Sequence, residues 1–200
     1  MSFKRKELLR KLRFKFINNQ PIGGGKTLLC NNCTGAMVLH DYGLRFDTPT
    51  VNLFIRPKDY IELLSDIRRY MQSEIENITF ENKYPVGLLG GKIRIDFLHY
   101  SSFANAVASW KRRTARIDYD HIYAVLVERD GCTYEDLQRF DSLQLVHKVA
   151  LVHKHYPDIK SSFVINYPDK NGLLGQIIDY QGQFGKRYYD SFDWKQFLEI

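Results

Sequence analysis

The chain has 200 residues, 44% hydrophobic and 14% aromatic, enough for the core of one full-sized domain and too apolar for a disordered chain. Its net charge of +6 is matched by one segment, where Lys4, Arg5, Lys6, Arg10, Lys11, Arg13 and Lys15 oppose only Glu7, so the body of the protein is close to neutral and nucleic acid is not an expected partner. No apolar run reaches the roughly 20 residues of a membrane span, and the N-terminus lacks a signal-peptide pattern. Cys30, Cys33 and Cys132 are the only cysteines and read as reduced thiols, so the expected location is cytoplasmic, at the inner membrane face if the basic segment engages lipid.

That segment predicts a helix over 3–16 with Leu8, Leu9, Leu12 and Phe16 on one stripe and basic residues elsewhere. Such a helix suits an anionic membrane surface, giving peripheral membrane contact through residues 1–16, and it equally suits docking on the domain's own core or on another subunit. The organisation read from this is a basic amphipathic helix over 1–20 followed by a single α/β domain over 21–200. Gly23-Gly24-Gly25-Lys26-Thr27 imitates the end of a phosphate loop, but Gln20 stands where that motif needs glycine, and the next residues, Leu28-Leu29-Cys30, read as a strand rather than a helix.

The strand delivers the turn Cys30-Asn31-Asn32-Cys33-Thr34-Gly35, followed by a helix over 36–42. Backbone N–H groups and a positive helix end at the carboxyl edge of a sheet form an anion or diphosphate site, which makes Asn31, Asn32 and Thr34 substrate-binding candidates; capping by Asn and Thr accounts for the same residues. Cys30-x-x-Cys33 has redox or zinc spacing but no second pair. A short strand over 50–55 precedes a helix opened by Pro57, with Tyr60, Leu63, Leu64, Ile67, Tyr70 and Met71 on its core face. Residues 76–91 are turn-rich, with a short strand expected around 78–80.

The stretch from Ile93 to Gly131 organises the reading. An alternating strand over 93–98, the turn His99-Tyr100-Ser101-Ser102, an Arg-rich helix and the apolar strand Ile122 to Val127 predict one parallel β-α-β unit. Ligands sit beyond the carboxyl ends of such strands, where His99 and Arg129-Asp130 would project. His99 and Asp130 are candidate bases and Arg129 a candidate anion clamp, with Tyr100 and Ser101 beside them as substrate-binding candidates. Arg112, Arg113 and Arg116 complement the helix dipole and would be carried to the opposite sheet edge. Asp118-Tyr119-Asp120 has the spacing that holds a divalent cation against a diphosphate, but it precedes its strand. His153 and His155 alternate onto one strand face without a third ligand. No metal ligand set and no cofactor are therefore predicted. A helix over 134–140, strands around 149–152 and 162–166, a strand or hairpin over 172–180 and a helix over 192–198 complete the chain.

Asn31-Asn32-Cys33-Thr34-Gly35, Gly43-Leu44, Thr48 to Ile55, Tyr84-Pro85-Val86-Gly87, His99-Tyr100-Ser101-Ser102, Trp110-Lys111-Arg112-Arg113, Arg116-Ile117 and Arg129-Asp130-Gly131-Cys132 together resemble the bacterial family known as domain of unknown function 1919, whose members are often labelled exopolysaccharide biosynthesis proteins. The resemblance covers most of the chain after Thr27, with departures at Thr34, Asn105 and Asp118. It implies an α/β fold and a role in cell-surface polysaccharide synthesis. Pattern and resemblance lead to the expectation of a three-layer α/β domain with a mostly parallel, doubly wound, Rossmann-like sheet flanked by helices. The functional expectation is a glycosyltransferase-like transferase acting on a nucleotide sugar or lipid-linked saccharide, or a non-catalytic sugar- or nucleotide-binding accessory protein of a polysaccharide assembly complex.

Overall fold

A computed structural model describes residues 2–17, 25–79 and 83–199, except for the side chains of Phe16 and Ile17. The glycine-rich residues 23–24 and Phe80 lie outside the described residues. The architecture is mixed α/β, with seven α-helices among the described residues. At its centre is a parallel sheet of β1 (Thr27–Cys30), β6 (Ile122–Val127), β7 (His147–Val152) and β8 (Ser162–Val164), in the order β1-β6-β7-β8. Continuous apolar sequence marks strands buried on both faces, and β6 is such a strand, with Tyr123 to Val127 all buried. Alternate side chains feed two apolar clusters. Leu29, Leu126 and Ala150 join Phe140 of α6 (Tyr134–Ser142) and Trp110 of α5 (Phe103–Thr114). Leu28, Val125 and Leu151 join Val38 and Leu39 of α2 (Thr34–Asp41) and Trp194 of α7 (Trp194–Leu198).

The strand beginning at Ile93 does not belong to that sheet. It is β5 (Ile93–Asp96), in an antiparallel sheet ordered β2-β5-β4-β3 with β2 (Phe54–Ile55), β4 (Val86–Leu89) and β3 (Ile75–Asn77). The expected parallel unit across 93–131 is therefore corrected: α5 links two sheets. The reason was in the pattern, because alternation such as Ile93-Arg94-Ile95 fits a sheet with one half-exposed face, which antiparallel pairing permits and an all-parallel sheet does not. Within the parallel sheet, the β-α-β unit is β6-α6-β7, whose helix opens with a capping box between Thr133 and Asp136.

Other boundaries shift for local reasons. The helix opened by Pro57 divides into α3 (Pro57–Ser65) and α4 (Ile67–Gln72), because Asp66 leaves helical geometry and its side chain caps the second segment by accepting the Arg69 N–H. The short strand expected over 50–55 contracts to β2, and the one around 78–80 falls at β3. The expected hairpin over 172–180 is mostly turn, with one bridge between Pro168 and Leu174. Downstream, β9 (Tyr180–Gln181) pairs with β10 (Lys186–Arg187). The last helix begins at Trp194, two residues later than expected, and is capped by Asp193.

The N-terminal helix α1 (Phe3–Ile17) does dock on the domain, but through a different face from the leucine stripe. Arg10 and Phe14 are buried, whereas Leu8 and Leu12 are 57% and 46% exposed. The Arg10 guanidinium donates to Asp41, to both carboxylate oxygens of Asp190 at 2.7 and 2.9 Å, and to the Tyr189 hydroxyl at 2.9 Å. A buried cation is tolerated when it is paired and its donors are used, so the inward face of α1 is ionic at its centre.

Candidate functional site

The β1–α2 turn, the residues after β5 and the exit of β6 converge on one cleft of about 400 Å³, within the size range of small-molecule sites. Asn32, Cys33, Thr34, His99, Arg129 and Asp130 line it, His99 being exposed. Phe54, Leu98, Ile177 and Ile178 make the apolar part, with Gln176 beside them. Five sequence-derived candidates, Asn32, Thr34, His99, Arg129 and Asp130, therefore share a cavity although they come from three separate segments.

The wall at α2 is fixed by close packing. A Cβ on Gly35 would lie 2.6 Å from the Cβ of Cys30, so glycine lets the helix start directly against the strand end. The Asn32 carboxamide oxygen accepts the Thr34 N–H at 3.0 Å, satisfying one of the free donors of the first turn. Burial holds the Cys33 thiol above its ordinary range and pushes Cys30 up to about 12. At neutral pH neither is a ready thiolate.

Arg129 and Asp130 form an ion pair at 2.9 Å, partly open to solvent. Asp130 adopts φ 56° and Gly131 φ 84°, so the turn after β6 runs through the left-handed region, which Asp enters more easily than most residues and Gly without penalty. The His99 N–H donates to the Asn52 carbonyl at 3.3 Å. Asn52 itself has φ 63°, so two of the described non-glycine residues with positive φ position this cleft. The exposed His99 ring makes no hydrogen bond or ion pair within the described residues.

Three substrate-binding candidates are placed elsewhere. Asn31 is fully buried: its carboxamide oxygen accepts the Val127 N–H at 2.9 Å and its NH₂ donates to the Val127 carbonyl at 3.3 Å. It extends the β1–β6 ladder beyond Cys30 with a side chain and does not line the cleft. The Tyr100 hydroxyl donates to the Val51 carbonyl at 3.2 Å and accepts from Arg113 at 2.6 Å. Ser101 accepts from Asn105 at 3.4 Å on the exposed start of α5, where Ser102 is the N-cap. Neither Tyr100 nor Ser101 lines the cleft.

The remaining charged candidates are engaged in structure. Arg113 holds Tyr100, and Arg116 donates to the Phe46 carbonyl at 2.6 Å. The opposite-edge argument for the Arg-rich helix falls with the parallel unit, yet none of these arginines lines the cleft. Asp118 pairs with His121 at 2.8 Å and accepts the Asp120 N–H at 3.0 Å. Among the described residues, no group of three His, Cys, Asp or Glu residues is arranged to hold a metal.

Sequence reasoning missed the support beneath Arg129. The buried Glu128 carboxylate accepts the His153 backbone N–H at 2.7 Å, contacts His153 Nδ1 at 2.7 Å and accepts the Tyr156 hydroxyl at 2.5 Å. Burial, with Glu128 as acceptor, raises the Tyr156 phenol well above its ordinary value. Partners 25 and 28 positions away leave no local pattern. A charged residue closing an apolar strand was the one available signal.

The fold and cleft define a mixed α/β protein with a half-polar cavity at the carboxyl ends of a parallel sheet. The chain belongs to the DUF1919 family, a domain of unknown function whose family model matches residues 2–199. It is also similar to an uncharacterized protein of Haemophilus influenzae, at 38% identity over 170 residues, covering 85% of this chain and 82% of that protein.

Proposed function

We propose that the cleft binds the phosphate-bearing part of a nucleotide-activated or lipid-linked sugar and that the protein is a glycosyltransferase-like transferase serving cell-surface polysaccharide synthesis. The observation that carries this reading is the convergence of the α2 N-terminus, Arg129 and His99 on one cavity. We read the two apolar clusters as the faces of a three-layer, doubly wound sheet. The helices following β1 and β6 pack into different clusters, and the cleft lies outside the carboxyl ends of those two strands, the usual ligand position in open α/β sheets.

On this reading Arg129, paired with Asp130, and the first turn of α2 hold the diphosphate. Phe54, Leu98 and the two isoleucines take an apolar ring. His99 removes the proton from the acceptor hydroxyl as its oxygen bonds to the anomeric carbon. The bond from that carbon to the phosphate oxygen breaks, and the leaving diphosphate keeps the electron pair beside Arg129.

One observation favours a second reading, a nucleotide- or sugar-binding accessory protein without turnover. Asp130 is the only carboxylate among the described lining residues, and Arg129 already pairs with it. Calorimetric titration of a nucleotide-sugar panel, paired with a nucleotide-release assay, separates the two. Transferase action predicts release that His99→Ala abolishes while binding persists. Arg129→Ala should weaken binding about 10- to 100-fold, as expected for a lost charged hydrogen bond. Saturable binding without release selects the accessory reading, and no binding by any nucleotide sugar or lipid-linked saccharide overturns both.

A further inference from the structure

Arg10 fixes the rotation of α1. With that guanidinium buried against Asp41, Asp190 and Tyr189, the helix cannot turn Leu8 and Leu12 inward without pulling a paired cation out of its partners. The outward face is thus set by the fold: Leu8 and Leu12, one turn apart, lie among the exposed Lys4, Arg5, Lys11 and Lys15. On a helical projection the three lysines flank the leucines on one side and Arg5 on the other. The sole acid of the helix, Glu7, is half-buried and lies 3.4 Å from Lys11. Gly185 packs against the α1 backbone, where its Cβ would meet the Lys6 carbonyl at 2.6 Å.

We propose that this outer face of α1 is a membrane-docking surface for an anionic bilayer, with Leu8 and Leu12 entering the headgroup boundary and the flanking cations meeting lipid phosphates. Charge complementarity selects this occupant: exposed cations border the leucines on both sides, and the helix exposes no unpaired acid. Apolar side chains sink into the interface while the charged heads of lysine and arginine stay at headgroup level. Because α1 is already folded and held in place, docking has little ordering to oppose it. Few apolar anchors make the attachment reversible and strongly salt-dependent. The inference stands apart from the chemistry of the cleft.

The test is co-sedimentation of the full chain with phosphatidylcholine vesicles, with and without about a third phosphatidylglycerol. Partitioning should be at least about tenfold stronger on the anionic vesicles and should collapse as salt shortens the screening length to about 3 Å. L8E/L12E should lose about tenfold or more in partitioning without losing its cooperative melt, since both side chains are exposed. Replacing Lys4, Arg5, Lys11 and Lys15 by Gln should lower binding by several-fold per cation, and this variant decides the matter if L8E/L12E fails to fold. Equal binding to neutral vesicles, no binding to anionic ones, or unchanged binding by the deciding variant overturns the proposal. So does a concentration-dependent dimer, seen by light scattering and abolished by L8E/L12E, which would make the face a contact between copies.

Discussion

Replacing Asn31 by Ala tests whether this residue belongs to the fold or to the ligand. The β1–β6 register ends at Cys30 paired with Val125, and beyond it the Asn31 carboxamide bonds both the N–H and the carbonyl of Val127. The Val127 carbonyl also accepts the Arg129 N–H at 2.9 Å, so truncation leaves it one partner. The Val127 N–H faces the vacated side chain, and a buried donor without an acceptor costs about 1–3 kcal/mol. Adding the lost second bond and the small void gives about 3 kcal/mol, or roughly 6–12 °C in Tm for a domain of this length. Asn32→Ala removes the acceptor for one first-turn N–H and for a weak Cys30 thiol contact at 3.7 Å and should cost about 1 kcal/mol. Guanidinium unfolding at unchanged m-value compares the two. If Asn31→Ala stays within about 1 kcal/mol of the parent while ligand binding disappears, the structural assignment is refuted and Asn31 is a ligand contact.

Arg10→Ala should destabilise by about 3–5 kcal/mol, because Asp41 and Asp190 are left buried with less compensation; proteolysis within α1 and a lower Tm are the readouts, and an unchanged melt would contradict the ionic clamp. In the native protein an aromatic disulfide reagent at pH 8 should titrate Cys33 slowly and leave the buried Cys30 and Cys132 nearly untouched. Burial raises all three thiols above their ordinary range, so reactivity should rise with pH, reach three thiols only on denaturation, and at Cys33 be slowed by a ligand in the cleft.

The candidate site was more legible than the sheet that carries it. Turns following apolar strands flagged Asn32, Thr34, Arg129 and Asp130 because free backbone donors and charged residues at strand exits are local features. Phe54 and Ile177 were invisible as lining residues, since nothing local distinguishes an apolar side chain facing a cavity from one facing the core. The sheet error had a readable cause: β5 and β6 are successive strands around a helix, and that proximity outweighed the difference between an alternating and a continuous apolar pattern. In α1 the leucines formed the conspicuous stripe, yet a cation with two acidic partners takes the centre of the interface and leaves Leu8 and Leu12 exposed. Those partners, Asp41 and Asp190, lie 31 and 180 positions away.

The Glu128 cluster explains how an exposed pair at a strand exit can be held in place. Arg129 and Asp130 are partly solvated, and an ion pair of that kind positions little by itself. Immediately before it, however, the Glu128 N–H donates to the Leu151 carbonyl at 2.9 Å, the Glu128 carbonyl accepts the Leu174 N–H at 2.9 Å, and the carboxylate is occupied by His153 and Tyr156. Every polar group of Glu128 is thus tied to β7, to the residues following it, or to the segment that brings Ile177 over the cleft. The left-handed turn at Asp130 starts from an anchored residue, so its modest backbone penalty is set against contacts that a freely moving loop would lack. The same device supports His99, whose backbone N–H is held by Asn52, also left-handed. Arg129 and His99 therefore project from backbone fixed by neighbours outside the cleft, which is how solvent-exposed side chains acquire a defined position before a ligand arrives.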